Sequence, residues 1–393
     1  MSKDQKAFLL RLLIAGGLTA VLFFIPMDGF IKALLFLLPL LMAGYDVYLS
    51  AGKKLARLEF FSEELLLGIA AAVIFIIGLV WRAPFVAEAP VVMIIYQLGR
   101  LISEKFEAST EKNENSLLNT DSLSILHGTL DRKSPIERKM KRFSKIFAPL
   151  FITAALLTIL IPPLFRMLYN LDPMTDTFVY AAMILIILSC PSYITKSIPF
   201  YFRNTLSAFF SKDIFLKDQN NIESLSSTWI VLFDSDEDKE RTGDLKSLGV
   251  HRTEVLSGEL EERKITLEKT LRQRQRKTYL AYLSKSPEDK ALIQRADTGI
   301  IIGHEDIAEM LSFSDAVIKE DSPEKLKDIL LASKNCMSLV KGNIAFSITV
   351  KLILTVLLIF NILPVSVAVA ANVAVLALSL LNSRKAGIIK ASS

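Results

Sequence analysis

The stretch Ile187-Leu188-Ser189-Cys190-Pro191-Ser192-Tyr193-Ile194 decides how the rest of this chain is interpreted. It lies late in an apolar run, residues 177–198, that is long enough to cross a bilayer. Proline removes a backbone donor and frees a carbonyl four residues earlier, so we expect the helix to break there. Irregular polar backbone at membrane depth survives only inside protein or along a cavity. A thiol and a hydroxyl beside the break therefore predict a cation site. The alternative is a kinked structural helix with a buried, inert cysteine.

The composition is that of a membrane protein. Of the 393 residues, 51% are hydrophobic, and the mean hydropathy is +0.40. Apolar runs of about 18 residues or more indicate membrane spans. We predict eight transmembrane helices, at 8–25, 29–49, 63–81, 85–103, 147–168, 177–198, 343–361 and 363–382. The fold class is thus a multi-span α-helical membrane protein, expected in the cell membrane with the lipid bilayer as its solvent.

Basic residues are concentrated in alternate loops. Seven Lys and Arg residues lie in 132–145, before the fifth span, whereas the opposite loops carry little more than Lys32, Arg82 and Arg166. The positive-inside rule then places both termini and all long loops in the cytoplasm. This topology accounts for the net charge of +5, so we expect no nucleic-acid partner. The two cysteines lie on or beside membrane segments and make no disulfide framework.

The chain is expected to contain five segments. They are transmembrane helices 1–4 (1–104), a cytoplasmic polar connector (105–145), transmembrane helices 5–6 with the Cys-Pro-Ser motif (146–211), a cytoplasmic α/β domain (212–340), and transmembrane helices 7–8 with a cytoplasmic tail (341–393). The connector has few residues that could build a core, which predicts that it is largely disordered.

The soluble block alternates strand and helix patterns. Residues 228–233 form a short apolar run closed by Asp234, typical of a buried parallel strand. Further strands are predicted at 255–258 and 298–303, with helices at 260–275, 286–295, 304–312 and 323–340. Alternating strands and helices indicate a small α/β unit with a parallel sheet.

The order of these segments resembles the heavy-metal (type IB) P-type ATPases, in particular the zinc/cadmium/lead exporters. The resemblance is carried by Ser189-Cys190-Pro191-Ser192 at the family's Cys-Pro-Cys, Phe233-Asp234 at its phosphorylated aspartate, Leu256-Ser257-Gly258 at its Thr-Gly-Asp motif, Ser286-Pro287-Glu288-Asp289-Lys290 at its lysine motif, and 296–303 at the segment after its hinge. It implies a haloacid-dehalogenase-like domain. Asp234 would be the nucleophile, Ser257 a phosphate hydrogen-bonder and Lys290 the countercharge.

The departures from the family predict a pseudoenzyme. The polar connector stands in place of the actuator domain, and only about twenty residues separate Asp234 from Leu256, where a nucleotide-binding domain would lie. Ser235-Asp236-Glu237-Asp238 replaces Lys-Thr-Gly-Thr, and the Gly-Asp-Gly-x-Asn-Asp hinge is interpreted as deleted after Lys290. Magnesium needs hard oxygen ligands, so the loss of the hinge carboxylate argues against bound Mg²⁺.

The resemblance also implies a reduced ion site. In the family, two thiolates and a carboxylate hold a soft dication. Here Cys190 remains, Ser192 replaces the second cysteine, and Asn372 occupies the place of the carboxylate. These three groups make a weak site for Zn²⁺ or Cd²⁺ as a transported ion, because zinc prefers several S or N ligands. Lys351 would lie adjacent, either as an ion gate or as a residue that snorkels or bonds carbonyls near the Cys-Pro break.

Three functions follow as hypotheses. The first is a catalytically inactive, P-type ATPase-like protein that binds a metal cation or a protein partner, such as a full-length P-type ATPase, and modulates metal homeostasis. The second is an active metal-ion transporter working passively or with domains from a partner chain. The third is a phosphatase at Asp234, since Asp234-Ser235-Asp236 satisfies the Asp-x-Asp pattern in which the second Asp is a general acid.

Overall fold

The computed structural model describes residues 3–25, 30–60, 62–80, 84–131, 133–188, 192–275, 277–359 and 363–388. The chain forms two compact units. Unit 1 comprises Met1–Phe106, Met140–Lys196 and Ile344–Ser379, and unit 2 comprises Glu107–Lys139, Ser197–Asn343 and Leu380–Ser393.

Unit 1 is built from long apolar helices. Of the helices named next, residues 107–139, 197–210, 325–343 and 380–383 belong to unit 2, and the other residues belong to unit 1. The helices up to the first strand are α1 (Lys3–Phe24), α2 (Phe30–Leu35), α3 (Leu37–Ala56), α4 (Glu63–Val80), α5 (Glu88–Leu117), α6 (Thr120–Leu130), α7 (Pro135–Leu168), α8 (Thr175–Leu188) and α9 (Ser192–Phe210). The chain ends with α15 (Lys325–Ile359) and α16 (Val365–Ser383). Small residues such as Ala43 and Ala70 are fully buried between helices of this unit. Such residues let helix backbones approach closely in a membrane.

Among the residues that the structure describes, six helical segments are long and apolar enough to cross a membrane. They are Gln5–Phe24, Phe30–Ala56, Glu63–Val80, Pro135–Leu168, Lys325–Leu357 and Val365–Gly387. The predicted fourth span falls in α5, which continues as a polar helix to Leu117. The predicted sixth span, 177–198, covers most of α8 and the start of α9, and the apolar part of α8, Thr177–Ile187, is by itself shorter than a span. The protein is thus a multi-pass membrane protein, and the two additional spans remain a prediction.

The expectation of a disordered connector is wrong. α5 extends to Leu117, α6 follows after two residues, and α7 begins at Pro135. Asn119 caps α6 by accepting a 2.8 Å hydrogen bond from the backbone N–H of Ser122. Thr129 of α6 also donates a 2.9 Å bond to the carbonyl of Leu216. The composition could not indicate this order, because these helices are held by a few specific polar contacts rather than by an apolar core of their own.

Unit 2 contains a six-stranded, mostly parallel sheet. Its strands are β1 (Ile214–Leu216), β2 (Thr228–Phe233), β3 (Arg252–Val255), β4 (Tyr279–Ser284), β5 (Thr298–Ile302) and β6 (Ala316–Ile318), in the spatial order β1-β6-β5-β4-β2-β3. Only the β1–β6 pair is antiparallel within this sheet. The connecting helices are α10 (Asn220–Ser226), α11 (Asp236–Thr242), α12 (Leu260–Gln273), α13 (Lys290–Arg295) and α14 (Ile307–Phe313).

The topology of the sheet singles out the end of β2. The sequence prediction of a buried strand at 228–233 is confirmed, and all but Trp229 of its residues are buried. From β2 the chain moves outward to β3, then crosses back so that β4 lies on the other side of β2. Such a reversal is a topological switch point, and ligand crevices in open α/β sheets lie at the carboxyl ends of the strands there. Asp234 is the residue that follows β2 at that point.

Candidate functional site

Asp234 is held at the sheet edge by the end of the neighbouring strand. Its Oδ2 accepts a 2.7 Å hydrogen bond from the backbone N–H of Lys285 and a 2.8 Å bond from the hydroxyl of Ser284. Its own N–H donates to the carbonyl of Leu283 at 3.1 Å, which continues the β2–β4 ladder by one residue. The Oδ1 atom is buried and has no hydrogen-bond partner among the described residues. Hydrogen bonds therefore hold only the Oδ2 atom of this carboxyl group.

Lys285 is the cation of the site. Its Nζ lies 2.7 Å from Oδ1 of Asp238 and 2.9 Å from Oδ1 of Asp321. Asp238 is fully buried at the start of α11, where the hydroxyl of Ser235 also donates to its Oδ2 at 2.9 Å. These ion pairs raise the pKa of Lys285, with the bond to Asp238 as the main cause. Lys285 is thus a charged group that joins the segments after β2, β4 and β6.

A second buried network lies beside Asp234. The guanidinium of Arg263 makes a bidentate pair with Asp289, with Nη1–Oδ1 and Nη2–Oδ2 distances of 2.9 and 2.6 Å. The hydroxyl of Tyr282 donates to Oδ2 of Asp289 at 2.6 Å, and Ser284 Oγ lies 2.9 Å from the same atom. A single hydroxyl proton on Ser284 can satisfy only one of Asp234 and Asp289 at a time.

The environment raises the pKa of Asp234. Burial is the largest cause, and the charges of Asp238 and Asp289 add to it, while the hydrogen bonds from Lys285 and Ser284 act in the opposite direction. In the folded protein the ionised carboxylate is therefore less favourable than in the unfolded chain. Above its folded pKa this group reduces stability. The cost disappears as the pH falls through the folded pKa toward the ordinary value of 3.8.

We therefore expect Asp234→Asn to stabilise the protein at neutral pH by about 1 kcal/mol, a typical gain for removing an unfavourable polar group. The amide keeps an acceptor for Lys285 N–H and removes the charge. At a pH below the ordinary pKa of 3.8 the difference from wild type should vanish, because Asp234 is then protonated in both the folded and the unfolded state. Thermal unfolding at both pH values measures this. Asp236→Asn is the matched control, since Asp236 is exposed at the first position of α11, and it should not stabilise. A loss of stability in Asp234→Asn at neutral pH contradicts the assignment.

Among the described contacts, Lys290 and Ser257 make no hydrogen bond or ion pair with Asp234, which is bonded by Ser284 and Lys285. Lys290 is exposed, and its Nζ lies 5.2 Å from the centroid of the Phe313 ring, a cation–π contact with α14. Ser257 is exposed in the turn after β3, at the same sheet edge. Asp238, not Asp236, is the acid from α11 that acts on the pKa of Asp234. The acidic residues at the start of α11 also have a structural role, because carboxylates in the first turn of a helix interact favourably with the helix dipole.

The magnesium-binding hinge implied by the resemblance is predicted to be deleted after Lys290. In the structure, the residues that precede Lys290 lie beside Asp234, because β4 pairs with β2. These residues do not fit a magnesium ion, since an ammonium already neutralises the oxygens of Asp238 and Asp321. Within the part of the chain that the structure describes, no three His, Cys, Asp or Glu side chains are grouped to hold a metal. Sequence reasoning missed Ser284 and Lys285 because it missed strand β4.

The predicted ion-site residues are only partly described. Cys190 lies outside the described residues, and Ser192 is the first residue of α9. Asn372 in α16 and Lys351 in α15 are both buried, each with 4% of its surface exposed. The Nζ of Lys351 lies 5.5 Å from the centroid of the Phe147 ring. This contact gives the ammonium an aromatic neighbour inside unit 1, which a snorkelling lysine would not need.

Unit 1 also holds a carboxylate that sequence reasoning did not single out. Oε2 of Glu88, at the start of α5, accepts bonds from the Tyr180 hydroxyl at 2.6 Å and the backbone N–H of Val365 at 3.1 Å. Glu88 lines a cavity of about 520 Å³ together with Thr19 and Ser366. An acidic residue inside an apolar helical unit is a candidate functional group.

These features define a multi-pass membrane protein with an open, mostly parallel α/β unit whose candidate site follows strand β2. Comparison with models of known protein families finds no match. The chain is 27% identical over 137 residues to a cadmium, zinc and cobalt-transporting ATPase of Bacillus subtilis, covering 35% of this chain and 18% of that protein. It is 29% identical over 112 residues to a zinc/cadmium/lead-transporting P-type ATPase of Escherichia coli, covering 28% and 15%. The matches thus span less than a fifth of these relatives.

Solved structures have the same fold. A crystal structure of a zinc-transporting PIB-type ATPase matches with a TM-score of 0.60 at 15% identity, covering 98% of this chain and 99% of that chain. A second crystal structure of a zinc-transporting PIB-type ATPase, in another state, gives a TM-score of 0.55 at 15% identity and covers 98% of this chain. The chain is a relative of the heavy-metal P-type ATPases.

Proposed function

We propose that this chain is a metal-cation-transporting ATPase-like membrane protein whose phosphorylation site does not turn over ATP. The observation that carries the proposal is the position of Lys285. A transferred phosphoryl group needs cations between it and the attacking carboxylate, and in this fold family magnesium supplies them. Here the ammonium is held by Asp238 and Asp321 instead, and the Asp234 carboxyl is surrounded by further acids. The protein would act by binding a cation or another protein, for instance a complete P-type ATPase.

The proposal predicts no metal-stimulated ATP hydrolysis. Purified protein, reconstituted in lipid with Mg²⁺ and with Zn²⁺ or Cd²⁺, should release phosphate from ATP at the same rate as Asp234→Asn. Phosphate release that depends on both the metal and Asp234 would restore the active-transporter hypothesis. Release from a small phosphate ester that depends on Asp234 but on no soft metal would favour the phosphatase.

The carboxylate of Glu88 favours the second candidate, passive or assisted cation passage. An acidic group beside a cavity of about 520 Å³ in the helical unit offers an oxygen ligand for a cation. Uptake of ⁶⁵Zn²⁺ or ¹⁰⁹Cd²⁺ into proteoliposomes without ATP tests this candidate. Uptake that falls in Glu88→Gln supports passage, and uptake equal to that of empty liposomes argues against it.

The membrane site should bind soft dications weakly. Cys190 supplies one thiolate, Ser192 and Asn372 are neutral, and the buried Lys351 adds a positive charge. A dication would leave water without enough negative ligands to offset the cost. We expect Ser192→Cys together with Asn372→Asp to raise zinc affinity by at least about tenfold, and each change alone to give part of that gain.

Equilibrium dialysis against ⁶⁵Zn²⁺ measures these affinities, and Cys190→Ala in the double variant is the control that should lose the gain. Tight zinc binding by the wild-type protein that disappears in Cys190→Ala would show that the three-group site is stronger than its chemistry suggests.

The finer architecture is also part of this proposal. We infer eight spans with both termini in the cytoplasm, because Lys and Arg residues cluster in alternate loops. We further infer that the sheet of unit 2 is a reduced haloacid-dehalogenase-like domain, since Asp234 directly follows strand β2 at the switch point of the sheet.

A further inference from the structure

The ammonium of Lys285 lies between two carboxylates that belong to different segments of the chain. Asp238 comes from the first turn of α11, Asp321 follows β6, and the backbone of Lys285 itself holds Asp234. Asp238 has no exposed surface, whereas the side chain of Asp321 is 55% exposed. A buried carboxylate needs a counter-charge to remain ionised, and Lys285 is the cation that supplies it.

The network extends beyond Lys285. Arg241 in α11 donates to the carbonyl of Asp321 at 2.8 Å and to Oε1 of Glu324 at 3.1 Å. His304 Nε2 lies 2.8 Å from the carbonyl oxygen of Lys285. The strand-end segments after β2, β4 and β6 are therefore joined to one another by polar contacts that need no added ligand.

We propose that the Lys285 ammonium is a built-in substitute for a divalent cation, so that this α/β unit is locked in a metal-independent state. The geometry supports this directly, because one Nζ bridges two carboxylate oxygens at 2.7 and 2.9 Å. Magnesium is commonly bound through one or two carboxylates and several waters, so the same pair of acids would suit it if the ammonium were absent. The inference deepens the proposed function, since it names the group that excludes magnesium from the site.

The test compares two lysines of one segment. Lys285→Asp replaces the ammonium by a third carboxylate among Asp238 and Asp321, and Lys290→Asp makes the same change at an exposed lysine that contacts Phe313 instead. Without metal, Lys285→Asp should lower the Tm of the purified full-length chain by at least about 5 °C, because buried Asp238 loses its counter-ion. Millimolar Mg²⁺ or Mn²⁺ should restore much of this loss. Wild type and Lys290→Asp should show neither effect.

Two further measurements keep the test decisive if Lys285→Asp fails to fold. Lys285→Gln removes the charge with a polar side chain that is only one atom shorter, and its smaller loss of Tm should also be reduced by Mg²⁺. Electron paramagnetic resonance of added Mn²⁺ then compares wild type with Asp238→Asn, and we expect no difference in bound Mn²⁺. Mn²⁺ bound by wild type and lost in Asp238→Asn overturns the inference, as does a Lys285→Asp variant no more responsive to metal than Lys290→Asp.

These outcomes are separate from those that concern ATP. Metal binding at Asp238 in the wild-type protein would contradict the proposal that Lys285 substitutes for a divalent cation, even if ATP were not hydrolysed. Conversely, ATP hydrolysis that depends on Asp234 would contradict the proposed function, however the Lys285→Asp variant responds to Mn²⁺.

Discussion

Arg203→Ala is expected to destabilise the protein by about 3–5 kcal/mol, the usual cost of leaving one member of a buried ion pair without its partner. The guanidinium of Arg203 binds Glu114 through both carboxylate oxygens, at 2.8 and 2.6 Å. The side chains are 13% and 3% exposed, so water cannot replace the lost contact easily. Ser207 also donates to Glu114 at 2.8 Å. A fall in Tm of roughly 10 °C is the corresponding thermal shift.

The matched control is Arg100→Ala. Arg100 pairs with Glu104 one turn further along α5, but both side chains are more than 40% exposed. Exposed pairs of this kind contribute at most about 0.5 kcal/mol, so Arg100→Ala should leave Tm nearly unchanged. Replacing both Arg203 and Glu114 by Leu should recover most of the stability, because it leaves no buried charge unpaired. Equal effects of Arg203→Ala and Arg100→Ala would contradict the role assigned to this pair.

Gly299→Ala is the second change with a large expected effect, a loss of about 3 kcal/mol from overpacking. Gly299 lies in β5 under the end of α13. A Cβ added there would lie 2.3 Å from the carbonyl oxygen of Ile293 and 2.5 Å from its Cγ2. Because the closer atom belongs to the backbone, a rotamer change cannot relieve the clash. The helix would have to move away from the strand that pairs with β4.

Gly128→Ala is the control for this change. Gly128 lies in α6 with no atom within 4 Å of an added Cβ, so alanine there should stabilise by about 0.5–1 kcal/mol through helix propensity. Urea unfolding of both variants measures whether each change lowers or raises the free energy of unfolding. A Gly299→Ala protein as stable as wild type would show that α13 does not pack on β5 as described.

The sequence was informative where hydrophobicity alone determines structure. Six apolar helices and the buried strand β2 follow from run length and periodicity, and the position of Asp234 follows from the end of that strand. The polar helices of 105–130 could not be predicted in this way. They depend on contacts between distant residues, such as Arg203 with Glu114 and Thr129 with Leu216, which leave no local pattern.

The candidate site, too, could be predicted only in part from local sequence patterns. The segment 284–290 contains two lysines, and the resemblance led to Lys290 as the countercharge. Strand β4 was not recognised, although its residues Leu280–Ser284 are buried, because it follows a basic stretch and carries two tyrosines. Once β4 is known to pair with β2, Lys285 is the first residue beyond it and must lie beside Asp234. Lys290 was therefore chosen instead of Lys285 because strand β4 was missed, and not because the residue types were misleading.

Formation of an acyl-phosphate on Asp234 is the most direct measurement of whether this site is catalytic. The purified full-length chain would be incubated with γ-³²P-ATP, Mg²⁺ and Zn²⁺ or Cd²⁺, quenched in acid, and compared with Asp234→Asn. The charges around Asp234, with Lys285 held by Asp238 and Asp321, predict no acid-stable label above the level of the variant. Label on the wild-type protein that is absent from Asp234→Asn would contradict the account.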